Sequence, residues 1–376
     1  MIINESEMLD QLRNAKKVLL VEPLFPRKYP PFGLAKIKTF LERMGKEVTY
    51  ARSIPPEKYD LICVTTLFTY YSSHVFAVLK NRGFLNANTP IMLGGILASL
   101  MPELFDMPNV SVYRGYSKAL DLCEPDPMIM SNTDDKWKDF SWVFTSRGCP
   151  NKCAYCTVWR IEKEKWVNPS WQNQIFLDRP YISLLDNNLS SIEIPHMVEI
   201  ANFANKHKKK VIIESGLDCK FVTPELATEV AKLKFVRHGM RVAFDRVEED
   251  GLFQRSARWL QKAGISSESM MAYVLFNFDD RPQDAYYRAE ECFKLGIRAY
   301  PQYYRPLNTL NKNKVFVGKH WTFRLGKAFR YYWIMKGVRG GFRDMSFDQY
   351  IKSKEGQFKT KLTPNDIAVW DANGVK

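Results

Sequence analysis

The sequence predicts an α/β fold: a small doubly wound parallel-sheet domain, followed by a partial (β/α)6 barrel of the TIM type and a basic C-terminal helical extension. Three observations carry this expectation. Short apolar runs such as Lys17 to Pro23 alternate with segments of helical periodicity, as parallel strands covered on both faces do. The chain's 376 residues leave room for two or three domains. Beyond about residue 304 the alternation stops, and Pro301 to Lys376 holds 15 basic residues against five acidic ones.

Each element has its own signal. KVLLVEP, Lys17 to Pro23, reads as a strand running into a proline loop, and GLAKIKTFLERMGKEV follows with apolar residues at helical spacing and a stop at Gly45. EVTYA, YDLICVTTL, a helix from about Ser72 to Asn81, PIMLGGI and VSVYRG continue the rhythm. They build a domain over residues 1–123, with ligands expected outside the carboxyl ends of its strands, at 23–31, 65–71, 94–96 and 115–116. Residues 124–139 carry Asp126, Asp134 and Asp135 with little periodicity and read as a linker. Six further strands are expected over 140–303: Trp142 to Ser146, Tyr181 to Leu185, Lys210 to Glu214, Phe235 to Phe244, Met270 to Phe276 and Ile297 to Tyr300, with helix-length spacers between them. Polar residues gather just past these strands, among them Asp186, Asn187, Glu214, Ser215 and Asp218, where a barrel presents its active site. Residues 304–376 form the extension.

Composition excludes several classes. Hydrophobic residues at 45% and charged residues at 26% are ordinary for a globular chain, so wholesale disorder, collagen and coiled coil are ruled out. No apolar run reaches the roughly 18 residues of a membrane span, and the amino end, MIINESEMLDQLRNAKK, lacks the apolar core of a signal peptide. A soluble, cytoplasmic protein is expected, with no membrane partner. The formal charge of +14 gains meaning only from its clustering in the tail. Seven cysteines, an odd number, argue against a disulfide framework and for metal or redox use of a subset.

Three of the seven stand in TSRGCPNKCAYC, where Cys149, Cys153 and Cys156 follow a strand signal at spacings of x3 and x2. Three thiolates on one tight loop suit three irons of a [4Fe-4S] cluster and leave the fourth iron open to a ligand. A zinc knot would want four Cys or His ligands in paired spacings, and no fourth lies nearby. Cys63, Cys219 and Cys292 lie in or beside apolar segments or on a helix and read as small buried hydrophobes.

This motif resembles that of the radical S-adenosylmethionine superfamily, C-x3-C-x-aromatic-C, with Tyr155 in the aromatic slot. The resemblance runs over roughly residues 17–303 and is greatest to the subgroup with an N-terminal cobalamin-binding-type domain. PPFGLAKIKTFLERMGKEV, LGGILASLMPEL, VYRGY and LLDNN carry it alongside the cysteine loop. It implies a [4Fe-4S] cluster on Cys149, Cys153 and Cys156, S-adenosylmethionine chelated by the open iron, and a reductant protein of flavodoxin or ferredoxin type. It further implies Tyr155 beside the adenine, Asp186 and Asn187 near the methionine amino group, Glu214 on the ribose with Ser215 or Asp218 as substitutes, and Arg241 for the carboxylate. Asp186 and Asn187 depart from the Gly-Gly-Glu form of much of the superfamily. Cobalamin belongs to the same resemblance, but the Asp-x-His-x-x-Gly loop that supplies its lower ligand is missing, and His74 is the domain's single histidine. Cobalamin-dependent methyl transfer and a cobalamin-free radical reaction both stay open.

The tail interleaves Trp321, Phe323, Phe329, Tyr331, Tyr332 and Trp333 with Arg324, Lys327, Arg330, Lys336, Arg339 and Arg343. Such a segment could stack unpaired bases and neutralise phosphates, which suits a nucleic-acid-binding protein with a structural cluster, or an RNA/DNA-modifying protein with the basic tail as its substrate platform. The competing expectation is a helix from about Thr322 to Lys336 that buries its aromatic residues and leaves a basic outer face.

Overall fold

The computed structural model describes residues 1–311, 315–337, 341, 342 and 344–372. It is a mixed α/β fold built on parallel sheets, in two compact units. Among the described residues no helix is long and apolar enough to cross a membrane.

The first unit comprises Met1–Ile182 with the short segment Leu307–Lys314, of which 307–311 are described. Its sheet has the order β1-β6-β5-β4-β2-β3, from β1 (Ile2–Ile3), β2 (Lys17–Val21), β3 (Glu47–Ala51), β4 (Leu61–Thr66), β5 (Ile91–Gly95) and β6 (Val110–Tyr113), with every pairing parallel. Along β2, Leu19 and Val21 join Ile62, Val64, Leu93 and Val112 on one face, whereas Val18 and Leu20 join Cys63 and Met92 on the other. That alternation of two buried faces is why the strand reads as a continuous apolar run. Helix α3 (Ser72–Lys80) covers the first face with Val75, Val78 and Leu79. Helices α1 (Glu5–Asn14) and α2 (Phe32–Glu42) cover the second, through Met8, Leu9 and Leu12 and through Leu34, Ala35 and Leu41. The two-residue β1, unforeseen in the sequence, closes the edge beside β6.

Three short helices follow in this unit: α4 (Ile96–Leu100), α5 (Lys118–Asp121) and α6 (Pro127–Ser131). The stretch 124–139 is thus not without structure, since Asp126 caps α6 by accepting the Ile129 N–H at 2.8 Å. The strand expected at Trp142 to Ser146 is β7 (Phe140–Val143). A separate two-residue strand, β8 (Ser146–Arg147), pairs antiparallel with β9 (Trp166–Val167), and α7 (Val158–Ile161) lies between them.

The chain enters the second unit, Ser183–Pro306 with the described residues from 315 onward, within β10 (Tyr181–Leu184). Here β11 (Lys210–Ile213), β12 (Leu217–Asp218), β13 (Lys234–Phe235), β14 (Met240–Ala243), β15 (Met270–Phe276) and β16 (Arg298–Tyr303) pair in parallel. Glu214 N–H donates to Leu184 O at 2.9 Å and Ile213 N–H to Gly239 O at 2.8 Å, so β10, β11, β14, β15 and β16 form one partial-barrel series. Helices α8 (Ile194–Lys206), α9 (Pro224–Ala231), α10 (Leu252–Lys262) and α11 (Pro282–Lys294) fill the spacers. The strand expected from Phe235 to Phe244 is two strands, β13 and β14, because the chain turns at His238, whose φ is +56°.

The extension is α12 (Phe323–Lys336), α13 (Phe347–Lys352), α14 (Lys354–Thr360) and α15 (Pro364–Ala372). Thr322 caps α12, and Trp321, Leu325, Phe329, Tyr332 and Trp333 are buried. Lys336 is buried as well: its ammonium donates to Tyr332 Oη at 2.8 Å and lies over the Phe293, Tyr332 and Trp333 rings. Phe323 alone of the foreseen base-stacking residues stands at the surface. Arg339 and Arg343 lie outside the described residues.

Candidate functional site

Cys149, Cys153, Cys156 and Tyr155 belong to the first unit, on a loop that leaves β8 and returns through β9. All four are half-buried, and among the described residues no cysteine of the chain forms a disulfide. The base of the loop is fixed by backbone geometry. Gly148 has φ +80°, and a Cβ there would overlap the carbonyl oxygen of Glu164, so the strand pair can close only over glycine. Gly115, just past β6, stands in the same relation to the Ile161 carbonyl at the end of α7, and Tyr116 stacks on Trp166 with centroids 6.0 Å apart. The loop therefore rests on the carboxyl end of the sheet, one of the places expected to meet a ligand.

Of the three thiols, Cys156 shows how the loop's groups act on sulfur. Burial pushes the Cys156 thiol up; the Val158 and Thr157 amides pull it back, while Cys153 and Cys149 raise it further. Val158 N–H donates to Cys156 Sγ at 3.5 Å, and Trp159 Nε1 donates to Cys153 O at 3.1 Å. Amide donors aimed at sulfur are what a thiolate-bound cluster needs from its surroundings. Among the described residues no three His, Cys, Asp or Glu side chains converge as ligands of a single ion. Cys149, Cys153 and Cys156 would be the residues to hold a polynuclear cluster, to which three thiolates on one loop are suited.

Beneath the loop lies a charge network that the sequence did not reveal. Asp121 at the end of α5 accepts Arg147 Nε at 2.8 Å and Arg147 Nη2 at 3.0 Å, and also Lys36 Nζ of α2 at 2.6 Å. Arg147 Nη1 donates to Glu162 at 3.2 Å, whose other oxygen accepts the Gly148 N–H at 3.3 Å. The guanidinium lies 3.4 Å from the Phe144 ring centroid. All four charged side chains are buried, two of each sign, which is the balance a low-dielectric site requires. Burial works against the Asp121 carboxylate, yet Arg147 and then Lys36 hold it below the usual carboxylate range. For Glu162 burial wins over Arg147, and its carboxyl is pushed up. Nothing in local periodicity marks these partners, which stand 15 to 85 residues apart.

The other foreseen residues belong to the second unit. Glu214, at the carboxyl end of β11, accepts Ser183 Oγ at 3.1 Å and pairs with the Arg241 guanidinium of β14. Arg241 Nη1 also reaches Tyr273 Oη of β15 at 2.6 Å, and that hydroxyl donates to Glu214 O at 3.0 Å. Among the described residues the Arg241 Nε is buried with no hydrogen-bond partner. Burial pushes the Tyr273 phenol up to about 12, against the pull of Arg241. Asp186 is buried just past β10, Asn187 is half-buried and Ser215 is exposed. Asn188 and Asp218 are tied to Ser190, whose hydroxyl donates to Asn188 Oδ1 at 2.7 Å and accepts the Asp218 N–H at 2.9 Å. Glu214 and Arg241 are thus brought together, and Ser183 and Tyr273 join them; those two carry no motif and become legible only as neighbours across parallel strands.

No family model matches this sequence, and no curated protein matches it. Among solved structures a match is coproporphyrinogen III oxidase (HemN) from Escherichia coli, described as a radical SAM enzyme. It is 8% identical over 37% of this chain and 35% of that one, with a TM-score of 0.30. The matched portion spans about a third of either protein, and at that level the likeness bears on neither fold nor function.

Proposed function

We propose that the chain is a radical S-adenosylmethionine enzyme, its [4Fe-4S] cluster held by Cys149, Cys153 and Cys156. The observation that carries this is the triplet itself: three half-buried thiols, Cys149, Cys153 and Cys156, on one glycine-closed loop, with an amide donor on Cys156. When bound, the cluster supplies the single electron that splits S-adenosylmethionine into methionine and a 5′-deoxyadenosyl radical. The chain's own part is to bind and orient. Glu214 offers a carboxylate to hydroxyl donors such as those of a ribose, and its pairing with Arg241 and Ser183 fixes its rotamer. The Arg241 guanidinium, held beside that carboxylate, is a cation for an anionic group such as the methionine carboxylate. Tyr155 supplies an aromatic face within the cluster loop. An acidic electron-transfer protein of flavodoxin or ferredoxin type would deliver the electron.

The test is anaerobic reconstitution with iron and sulfide, followed by S-adenosylmethionine and dithionite, with 5′-deoxyadenosine read by mass spectrometry. Formation of 5′-deoxyadenosine by the parent chain and its loss in Cys153→Ala are expected. An intact four-iron cluster that leaves S-adenosylmethionine uncleaved would overturn the proposal in favour of a structural cluster.

A further inference from the structure

In the first unit the strand order β3-β2-β4-β5-β6 reverses between β2 and β4, so the crevice where such a sheet takes a ligand lies outside the carboxyl ends of those two strands. A corrin, being a broad flat macrocycle, needs that crevice open. Here the chain itself fills it. Phe25, in the loop after β2, stacks on Tyr71, in the turn after β4, at 5.6 Å between centroids. Phe68 stacks on Tyr70 at 5.2 Å, Tyr70 meets Tyr71 edge-on at 4.8 Å, and Tyr29 meets Phe68 at 5.9 Å. His74, the domain's one histidine, is committed to the same assembly, with its ring against Phe25 and Tyr71.

The neighbouring edges are closed too. Residues 307–311 belong to this unit although they lie some way beyond the barrel strands, and Thr69 Oγ1 donates to Thr309 O at 2.8 Å. Past β5, the first amides of α4 are already used: Leu97 N–H donates to Leu67 O and Ala98 N–H to Thr66 Oγ1. Past β6, the cysteine loop sits on Gly115 and Tyr116. Past β3, Arg52 Nη2 donates to Pro23 O at 3.1 Å and so ties down the first loop of the crevice.

We infer that the amino-terminal unit binds no cobalamin, and that the carboxyl edge of its sheet is instead the seat of the chain's own aromatic cluster, the 307–311 segment and the cysteine loop. The unit has the sheet order of a ligand-binding domain and has turned that edge into a structural one. Joined to the radical S-adenosylmethionine reading, on which this consequence alone rests, it leaves the chemistry without a corrin methyl carrier.

The test uses the full chain, reconstituted, and in parallel Cys153→Ala, which keeps the first unit but not the cluster. Both are incubated anaerobically with excess hydroxocobalamin and desalted, with cobalt read by mass spectrometry and the corrin by its visible spectrum. No cobalt above a cobalamin-free control is expected in either. Cobalt equimolar with the chain in either protein would overturn the inference. Amide hydrogen exchange supplies the folding control and a second readout. Amides of β2 and β4 should be protected, and hydroxocobalamin should leave exchange at 67–71 and 307–311 unchanged. Slower exchange at 67–71 on adding hydroxocobalamin would also overturn the inference. Neither readout depends on cleavage of S-adenosylmethionine, so a failure of the radical reading would not be mistaken for a failure of this one.

Discussion

Asp121 and Asp135 each accept a lysine ammonium at 2.6 Å, but they differ in burial and in the two further bonds that Asp121 takes from Arg147. The Lys36 and Asp121 side chains are 3% and 4% exposed, those of Lys138 and Asp135 52% and 93%. Asp135→Ala removes a water-screened pair and should cost less than about 1 kcal/mol. Asp121→Ala removes the shared acceptor of three charge-assisted hydrogen bonds, leaving two buried cations, Lys36 and Arg147, with only the Glu162 carboxylate between them. Breaking a buried pair in this way costs about 3–5 kcal/mol. The substitution keeps the Asp121 carbonyl, which accepts Asn168 and Gln174, so the loss is confined to the side chain. Urea unfolding of the two variants in parallel measures both costs, and a double cycle with Lys36→Met should return a coupling of about 0.5–3 kcal/mol. If Asp121→Ala proves no more destabilising than Asp135→Ala, the network does not hold the cysteine loop and the reasoning fails.

Three further expectations follow from the same geometry. Burial pulls the Lys36 ammonium from the ordinary 10.5 down to about 8, with Asp121 opposing. Between those values the unfolded chain binds more protons than the folded one, so stability contributed by this group rises with pH; urea unfolding should show the parent gaining on Lys36→Met from about pH 7.5 to 9.5, and a flat or falling difference counts against it. Glu214→Gln should weaken S-adenosylmethionine binding about tenfold or more in calorimetric titration, because a charge-assisted bond is exchanged for a neutral one beside Arg241, and an unchanged Kd removes Glu214 from the site. Phe329→Ala should cost about 3–5 kcal/mol, since its ring is packed by Phe276, Trp321 and Phe347, whereas exposed Arg330→Ala should stay within about 0.5 kcal/mol by thermal unfolding; equal small effects would return α12 to the role of a surface platform.

What could be read in the sequence was what is local. The β2 run is apolar because both its faces are covered, and the cysteine spacing belongs to one loop, so each was visible within a dozen residues. The aromatic residues of α12 follow the helical period of a packed face, and the two expectations for that segment differed only in which neighbours the rings would meet. What was hidden depends on long-range pairing. β1, β8 and β9 are two residues each, too short for any periodic signal, and they exist because a partner strand is there. The Thr69–Thr309 bond joins residues 240 positions apart, and Lys36 looks in the sequence like an ordinary solvated helix lysine. Glu214 and Arg241 were each legible as strand-end or strand polar residues, but their pairing follows from the adjacency of β11 and β14, which the sequence order does not state.

The cysteine loop also shows why a doubly wound unit precedes it. Its one helix, α7, buries no residue, so the loop cannot order itself through apolar burial. Its order comes from elsewhere in the unit: Lys36 on α2, Asp121 on α5, Gly115 at the end of β6 and the β8–β9 pair at the loop's own base. Those contacts are polar and backbone-mediated, and most of their partners stand on the sheet's own helices and strand ends. A ligand filling the crevice between β2 and β4 would have to displace an aromatic cluster of the same sheet, so the two uses of that edge compete. Under the proposed function, removing the sheet's interior should therefore abolish cluster retention before it reaches any residue of the loop, and the amino-terminal unit would be part of the cluster's support rather than an appended binding domain.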